Sequence, residues 1–489
     1  MPERGPLEKA LRTFYARAGR GTAPAIGCFL LNQRDLLGGN GWVRVSAVKQ
    51  FFLLLAYLLA PNAFAAQVKY SVGAAADLQG QYYPDSLSPQ VKQVFGILNA
   101  EVAGALKVGK FFSVKLRPTG HLDPHNPTKS EQSWYDVPEG YMQFKGALLE
   151  DVSGTLQLGY NTFTWGVTDG YNPLDVVSAR RFSDPLNSEK LGALSALGRL
   201  DFGGILLEGI YIPWQRSSTL PGDHSRWLPR EISSQVNQAG IVFDTPKVPE
   251  YTYGPTRSFN NPLHNNFGGR LSSHIFGLDL AAYHFEGAAS VPGATFHMEG
   301  DVIRIVPLPI EIAARPTVTL TEIFHRVKTT GVSAVFNVWE LVVRGETVVT
   351  DDEHLGSSAF PEHETDTVVE LEHTFTGYKS TFTVIGLQSF TDQRYGDSST
   401  TSTPSLTQLF NRASGIGFRW QPNETVRGET FAVFDTRHGG QIYKLELTYK
   451  LSDAWRVYGG GEVFNAKTSV PIGTYGKNSR AIAGLKLAI

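Results

Sequence analysis

Residues 441–451 read Gln-Ile-Tyr-Lys-Leu-Glu-Leu-Thr-Tyr-Lys-Leu, an alternation that only a strand with two unlike faces can satisfy. Tyr443, Leu445, Leu447, Tyr449 and Leu451 fall on one face; Lys444, Glu446, Thr448 and Lys450 fall on the other. A soluble sheet turns its polar face to water and its apolar face to a core. A strand in lipid instead turns its apolar face outward and carries aromatic residues toward both ends of that face, as Tyr443 and Tyr449 do here. A sandwich edge shares this look, so the rest of the chain decides.

The start of the chain bears on compartment. Arg44 and Lys49 precede the apolar run from Phe51 to Ala60, which Pro61 and the Ala63-Phe64-Ala65 site follow. A basic segment, a short apolar segment and a small-residue site make a secretory signal. The run is too short to span a bilayer as a helix. Cleavage is expected after Ala65 or Ala66. Residues 1–42 read as upstream sequence wrongly included, with initiation near Val43, Val45 or Val48; residues 43–65 are the signal, and residues 66–489 form one domain. Cys28, the sole cysteine, lies in that leader, which leaves no disulfide framework or cysteine metal site beyond it. Beyond Ala65 the chain carries 36 basic and 43 acidic side chains, a balance that disfavours nucleic acid as a partner. No later run approaches the about 18 apolar residues of a membrane helix.

Connections between the alternating segments switch regularly from short to long. Short ones fall at 108, 150–152, 202–203, 277, 329–331, 377–380, 422–425 and 452–453. Long ones fall at 78–93, 121–140, 163–190, 215–265, 287–315, 345–365, 392–411, 436–440 and 467–478. Outer-membrane barrels have this asymmetry of short periplasmic turns and long extracellular loops. The expected fold is all-β: a transmembrane antiparallel up-and-down barrel of about 18 strands, with 16 as the alternative count. Residues 301–312 have room for a further pair. Alternation is poor at 332–343 and 382–390, which suggests strands packed against an inserted loop or misplaced boundaries. The last segment puts Ala481, Ala483, Leu485, Leu487 and Ile489 outward, like the terminal signal read by the barrel-assembly machinery, although such signals usually end in Phe or Trp.

The polar faces supply a lumen. Lys115, Arg117, Lys145, Arg199, Asp201, Arg419, Lys444, Glu446, Arg456 and Glu462 are expected to line it, with Glu370, Glu372 and Lys486. Basic groups slightly outnumber acidic ones on these faces, which points to a weak anion preference at most.

One long connection is distinctive. It runs Tyr160-Asn-Thr-Phe-Thr-Trp-Gly-Val-Thr-Asp-Gly-Tyr-Asn-Pro-Leu-Asp175 and continues through Arg180-Arg-Phe-Ser-Asp-Pro185. Through Trp165, Gly166, Asp169, Asn172, Pro173, Asp175, Arg180, Arg181, Asp184 and Pro185 it resembles a recurrent segment of a group of large Gram-negative outer-membrane barrels, distantly similar to alginate-export porins. The resemblance implies a porin-like fold and supplies neither substrate nor catalytic residues. Read physically, Gly and Pro impose fixed turns that Asp and Asn cap. Arg180 and Arg181, with Asp169 and Asp175, are candidates for a pore constriction, since rings of Arg select anions. The competing reading has both arginines pairing with Asp169, Asp175 or Asp184 to hold the loop together. Asp169, Asn172 and Asp175 lack the spacing of a calcium loop. Residues 215–265, with Trp214, Arg216, Arg226, Trp227 and Arg230, read as an outer loop in which Arg226 matters little to the pore.

Twelve histidines offer material for catalysis, but none sits in a Ser/His/Asp or metal-ligand motif, and no Gly-x-Ser-x-Gly, His-Glu-x-x-His or phosphate loop occurs. The expectation is therefore a non-enzymatic outer-membrane channel without cofactor or metal, passing small hydrophilic and weakly anionic solutes between lipid-embedded walls. The alternatives are a secreted or surface β-protein that binds carbohydrate and an outer-membrane hydrolase.

Overall fold

The computed structural model describes residues 67–489 apart from 88–90, 150, 229–234, 239–240, 245–249, 260, 307–310, 353–360, 378, 395–411 and 468–471. The expected leader and signal, residues 1–65, lie outside the described residues.

Eighteen strands form one closed antiparallel sheet. They are β1 (Val68–Tyr82), β2 (Val94–Val108), β3 (Phe112–Leu122), β4 (Ser133–Leu149), β5 (Val152–Asn161) and β6 (Ala193–Asp201). Then come β7 (Ile205–Trp214), β8 (His264–Ile275), β9 (Leu278–Ala288), β10 (Arg326–Val338), β11 (Leu341–Asp352) and β12 (His363–Gly377). The wall ends with β13 (Ser380–Arg394), β14 (Ala413–Gln421), β15 (Val426–Asp435), β16 (Gln441–Lys450), β17 (Trp455–Asn465) and β18 (Arg480–Ala488). Each pairs with its neighbours in the chain, and β18 pairs with β1, Ala481 opposite Tyr82 and Ala488 opposite Ala75. Closure removes the open edge that lipid would leave without hydrogen-bond partners.

The outer face is apolar. Leu445 and Leu447 are each 49% exposed, on the side opposite Lys444 and Glu446. Exposed aromatics gather in two belts: Tyr82, Tyr160, Tyr211, Phe267, Phe390 and Tyr443 toward the long-loop end; Phe375, Phe382, Trp420, Tyr449 and Trp455 toward the short-turn end. Tyr443 and Tyr449 stand about 20 Å apart along one strand, close to the height of a lipid-facing band.

Three expectations need correction. The turn expected at 329–331 lies inside β10, and the chain turns instead at Trp339, whose φ is 54°. Gly331 mimics a turn residue but is there for clearance: a Cβ would come within 2.7 Å of the Leu174 side chain and the Thr347 carbonyl. The long connection expected before residue 315 extends to 325, because residues 301–312 do contain a further pair but not a barrel pair. Gly293–Val306 and Glu311–Phe324 form a hairpin in a second sheet beyond the barrel wall. Finally, β4 begins at Ser133, inside a stretch expected to be loop, where Trp134 stacks on His121 of β3 at 5.1 Å.

The weak alternation at 382–390 has its cause in the lumen. Ile385 and Leu387 point inward and are buried, while Phe382 and Phe390 face outward, so both faces of β13 are apolar. What covers the inner face is the connection from β5 to β6.

Candidate functional site

Residues 162–192 leave the wall after Asn161 and fold into the barrel. Phe163, Trp165, Leu174 and Val177 are buried against Leu197, Ile210, Ile212, Tyr283, Phe285 and Val348, inward residues of β6, β7, β9 and β11. The Trp165 indole N–H donates to Glu208 at 2.9 Å. Apolar contact thus fills one side of the lumen, and it takes both apolar inward positions on the wall and aromatic residues in the loop to do so.

Two wall carboxylates hold the loop's tip. Glu346 accepts the Val167 and Thr168 amides and the Thr168 hydroxyl, the last at 2.9 Å. Glu370 accepts the Asp169 amide at 2.9 Å and the Gly170 amide at 3.2 Å. Arg344 bridges Glu370 and Glu372, each at 2.7 Å, and Arg419 reaches Asp169 at 3.0 Å. Among the described residues, Asp169, Glu370 and Glu372 are spaced as a cation would require, but two guanidinium groups and two amides already occupy them. The arrangement is a latch.

The returning arm is tied to the opposite wall. Asp175 binds Arg180 and, at 2.6 Å, Lys190. The Arg181 guanidinium lies 3.7 Å over the Trp134 ring and 3.2 Å from Glu189. Arg480 of β18 meets Asp184 at 2.7 Å and Glu462 at 2.6 Å, and Lys444 donates to Asn187 at 3.3 Å. Loop and wall together therefore fill much of the lumen on the side of β6–β13, where a cavity of 260 Å³ lined by Lys115, Gln157, Arg199, Glu208 and Arg270 remains, and leave it open along β1–β4 and β16–β18.

The opening has two compartments. The outer one, of 320 Å³, is lined by Gln79, Gln81, Tyr83, Lys444, Glu446 and Trp227 among others. The inner one, of 720 Å³, is lined by Glu101, Arg117, Trp134, Glu139, Lys190 and Arg456 among others. Asp77, Asn99, Glu189 and Lys486 line both and form the junction, or waist, where the two compartments adjoin.

The expected lumen residues divide. Lys444, Glu446, Glu462, Arg117 and Arg456 line the two compartments. Lys115 pairs with Glu139, and Arg117 with the same carboxylate at 3.0 Å. Arg199 is bound to Glu208 at 2.6 Å; Arg419 is spent on the latch. Lys145 lies on the inward face, exposed near the short-turn end. Asp201 caps the next turn by accepting the Gly203 amide at 3.0 Å. Arg180 and Arg181 are engaged in pairs and stacking, and neither lines the two compartments. Glu208, Glu346, Asp77, Glu189 and Arg480 were not singled out from the sequence. For Glu346 the signal was its inward register with Arg344, obscured by the misplaced turn.

Arg226 has a structural place in the outer loops. It is 4% exposed and donates to the carbonyls of Lys92 at 3.3 Å, Asp85 at 2.9 Å and Lys477 at 2.7 Å, joining three loops above the outer compartment. Trp227 beside it packs with Phe464, Ile472 and Tyr475. Arg226→Gln should cost this roof about 1.5–3 kcal/mol, the worth of hydrogen bonds to a charged donor. Faster proteolysis of residues 215–228 would register the loss; an unchanged cleavage rate would contradict it.

A second tie is pH-sensitive. Glu131, on the short helix Lys129–Gln132, accepts the Gly222 amide at 2.8 Å, and Thr128 donates to Asp223 at 3.3 Å. Burial pushes the Glu131 carboxyl from 4.5 up to about 7, with the Gly222 amide opposing and Asp223 and Asp123 adding to the rise. The packed state thus holds the proton more tightly than the loosened one, so the contact weakens as pH rises from 4.5 through 7. Hydrogen exchange at Gly222 should be better protected at pH 5 than at pH 8, after correction for intrinsic rates. Glu131→Gln should remove the difference.

No protein-family model and no curated protein sequence matches the chain. Among solved structures, it is similar to a mutant of the Rh. blastica porin at 9% identity, covering 86% of this chain and 100% of that one, with a TM-score of 0.36. Salmonella typhi OmpF, solved with daunomycin, shares 10% identity over 86% of this chain and 98% of its own, with a TM-score of 0.41. A loop-deletion mutant of OmpT, an outer membrane protein of Vibrio cholerae, shares 8% over 86% and 99%, with a TM-score of 0.39.

Proposed function

We propose that this chain is a passive diffusion channel of a Gram-negative outer membrane, passing small hydrophilic solutes beside an in-folded loop. The observation that carries the reading is the pair of compartments with charged side chains in their lining, left open along β1–β4 and β16–β18, within a wall whose outer face is apolar and belted by aromatics. Water-filled lumens are lined by charge, and their selectivity follows from diameter and the groups on the wall. The short turns face the periplasm and the long loops the exterior. Residues 43–65 direct export and residues 1–42 are upstream sequence, so protein from outer membranes should begin at Ala66 or Gln67 by N-terminal sequencing. Barrel-assembly machinery inserts the chain, and outer-membrane lipid is its permanent partner. An anion preference through Arg180 and Arg181 loses its support, because both guanidiniums are engaged within the loop and its neighbours.

Liposome swelling with uncharged sugars of increasing size tests the proposal. Reconstituted protein should speed the entry of small sugars and exclude large ones. Swelling no faster than in protein-free liposomes would reject a diffusion channel.

A further inference from the structure

We propose that the charge preference of this passage is set at its waist by Asp77, Glu189 and Lys486, and that it favours cations. The inference rests on the channel reading and names the residues that would discriminate within it. On the wall side, Tyr458 of β17 lies across β18, where a Cβ at Gly484 would collide with its ring. Glycine at that inward position lets the ring lie flat, so it leaves the passage clear and reaches the next strand. The Tyr458 hydroxyl donates to Asp77 at 2.9 Å, and the Lys486 ammonium sits 4.2 Å over the ring. Wall carboxylate and wall ammonium are thereby placed by one aromatic side chain.

From the loop side comes Glu189. Its side chain is 45% exposed, whereas that of its partner Arg181 is 14% exposed with its guanidinium laid on Trp134. The passing solute thus meets the carboxylate of this pair, not the cation. Arg180 is further removed, bound to Asp175 and to Ser188 at 2.9 Å. Across both compartments acidic side chains outnumber basic ones, so the waist sits in a field of the same sign. A confined aqueous path with low-dielectric walls concentrates that field on the permeating ion.

Reversal potentials in planar bilayers under a potassium chloride gradient test the assignment. The wild-type channel should select potassium over chloride. Lys486→Gln should raise the permeability ratio about tenfold, because one unit charge at roughly 6 Å in water acts about threefold on each ion and in opposite senses, and Glu189→Gln should lower it by a similar factor. Arg180→Gln should leave it unchanged. An anion-selective wild-type channel would overturn the inference without any variant, as would conducting Lys486→Gln and Glu189→Gln channels with wild-type reversal potentials. In both cases the channel reading survives; absence of conductance would remove that reading and this one together.

Discussion

Arg480→Ala should destabilise the barrel by about 3–5 kcal/mol, the cost of stranding a buried charge by removing its partner. Arg480 and Glu462 have side chains that are each 1% exposed, and the guanidinium also holds Asp184 of the in-folded loop and donates to the Tyr83 hydroxyl at 3.1 Å. Its loss leaves Glu462, buried at the edge of the outer compartment, with Lys444 as its remaining cation, 3.7 Å away. The double variant Arg480→Met with Glu462→Gln should recover much of the stability, because a neutral pair carries no comparable desolvation penalty. Urea titration of the refolded protein in lipid vesicles measures both. A single variant as stable as wild type would mean that the charges are hydrated, and that the loop's returning arm is not held as described.

The second large effect tests the outer face. Leu447→Arg should cost about 2–4 kcal/mol, as an Arg at mid-bilayer on a barrel's lipid face does. Glu446→Arg, one residue away, faces the outer compartment and should fold nearly as well as wild type. The pair differs by one step along one strand, so local β-propensity cannot account for a difference in stability. Equal tolerance in the same refolding assay would reject a lipid-facing surface at this register.

How much of this could be read in advance depended on what each side of the wall touches. Lipid demands an apolar residue at every second position, and so β16 and β14 were legible from Leu445, Leu447, Ile416 and Trp420 alone. Strand number followed from the alternation of short and long connections, because loop length is written directly in the chain. Where the in-folded loop replaces water on the inner side, the polar half of the pattern disappears. Ile385, Leu387 and Val348 are then apolar for a second reason, and Gly331 looks like a turn when it makes room for Leu174. The loop's inward course was hinted at only by the weak alternation at 382–390; its anchors were not legible. Its holders, Glu208, Glu346 and Glu370, lie 43 to 201 positions from the groups they bind. Only the pairing of Arg180 with Asp175, five residues apart, was foreshadowed locally. The structural role of Arg226 was not legible for a related reason: its partners are backbone carbonyls of distant loops, which no side-chain pattern announces.

The central claim is an open aqueous path beside a latched loop, and single-channel recording of the purified, refolded wild-type protein in planar lipid bilayers tests it most directly. The account predicts discrete, uniform conductance steps. In Glu370→Ala, which releases the Asp169 and Gly170 amides from the wall, steps should become larger or flicker as the loop tip detaches. A correctly inserted wild-type barrel that carries no current would contradict the claim.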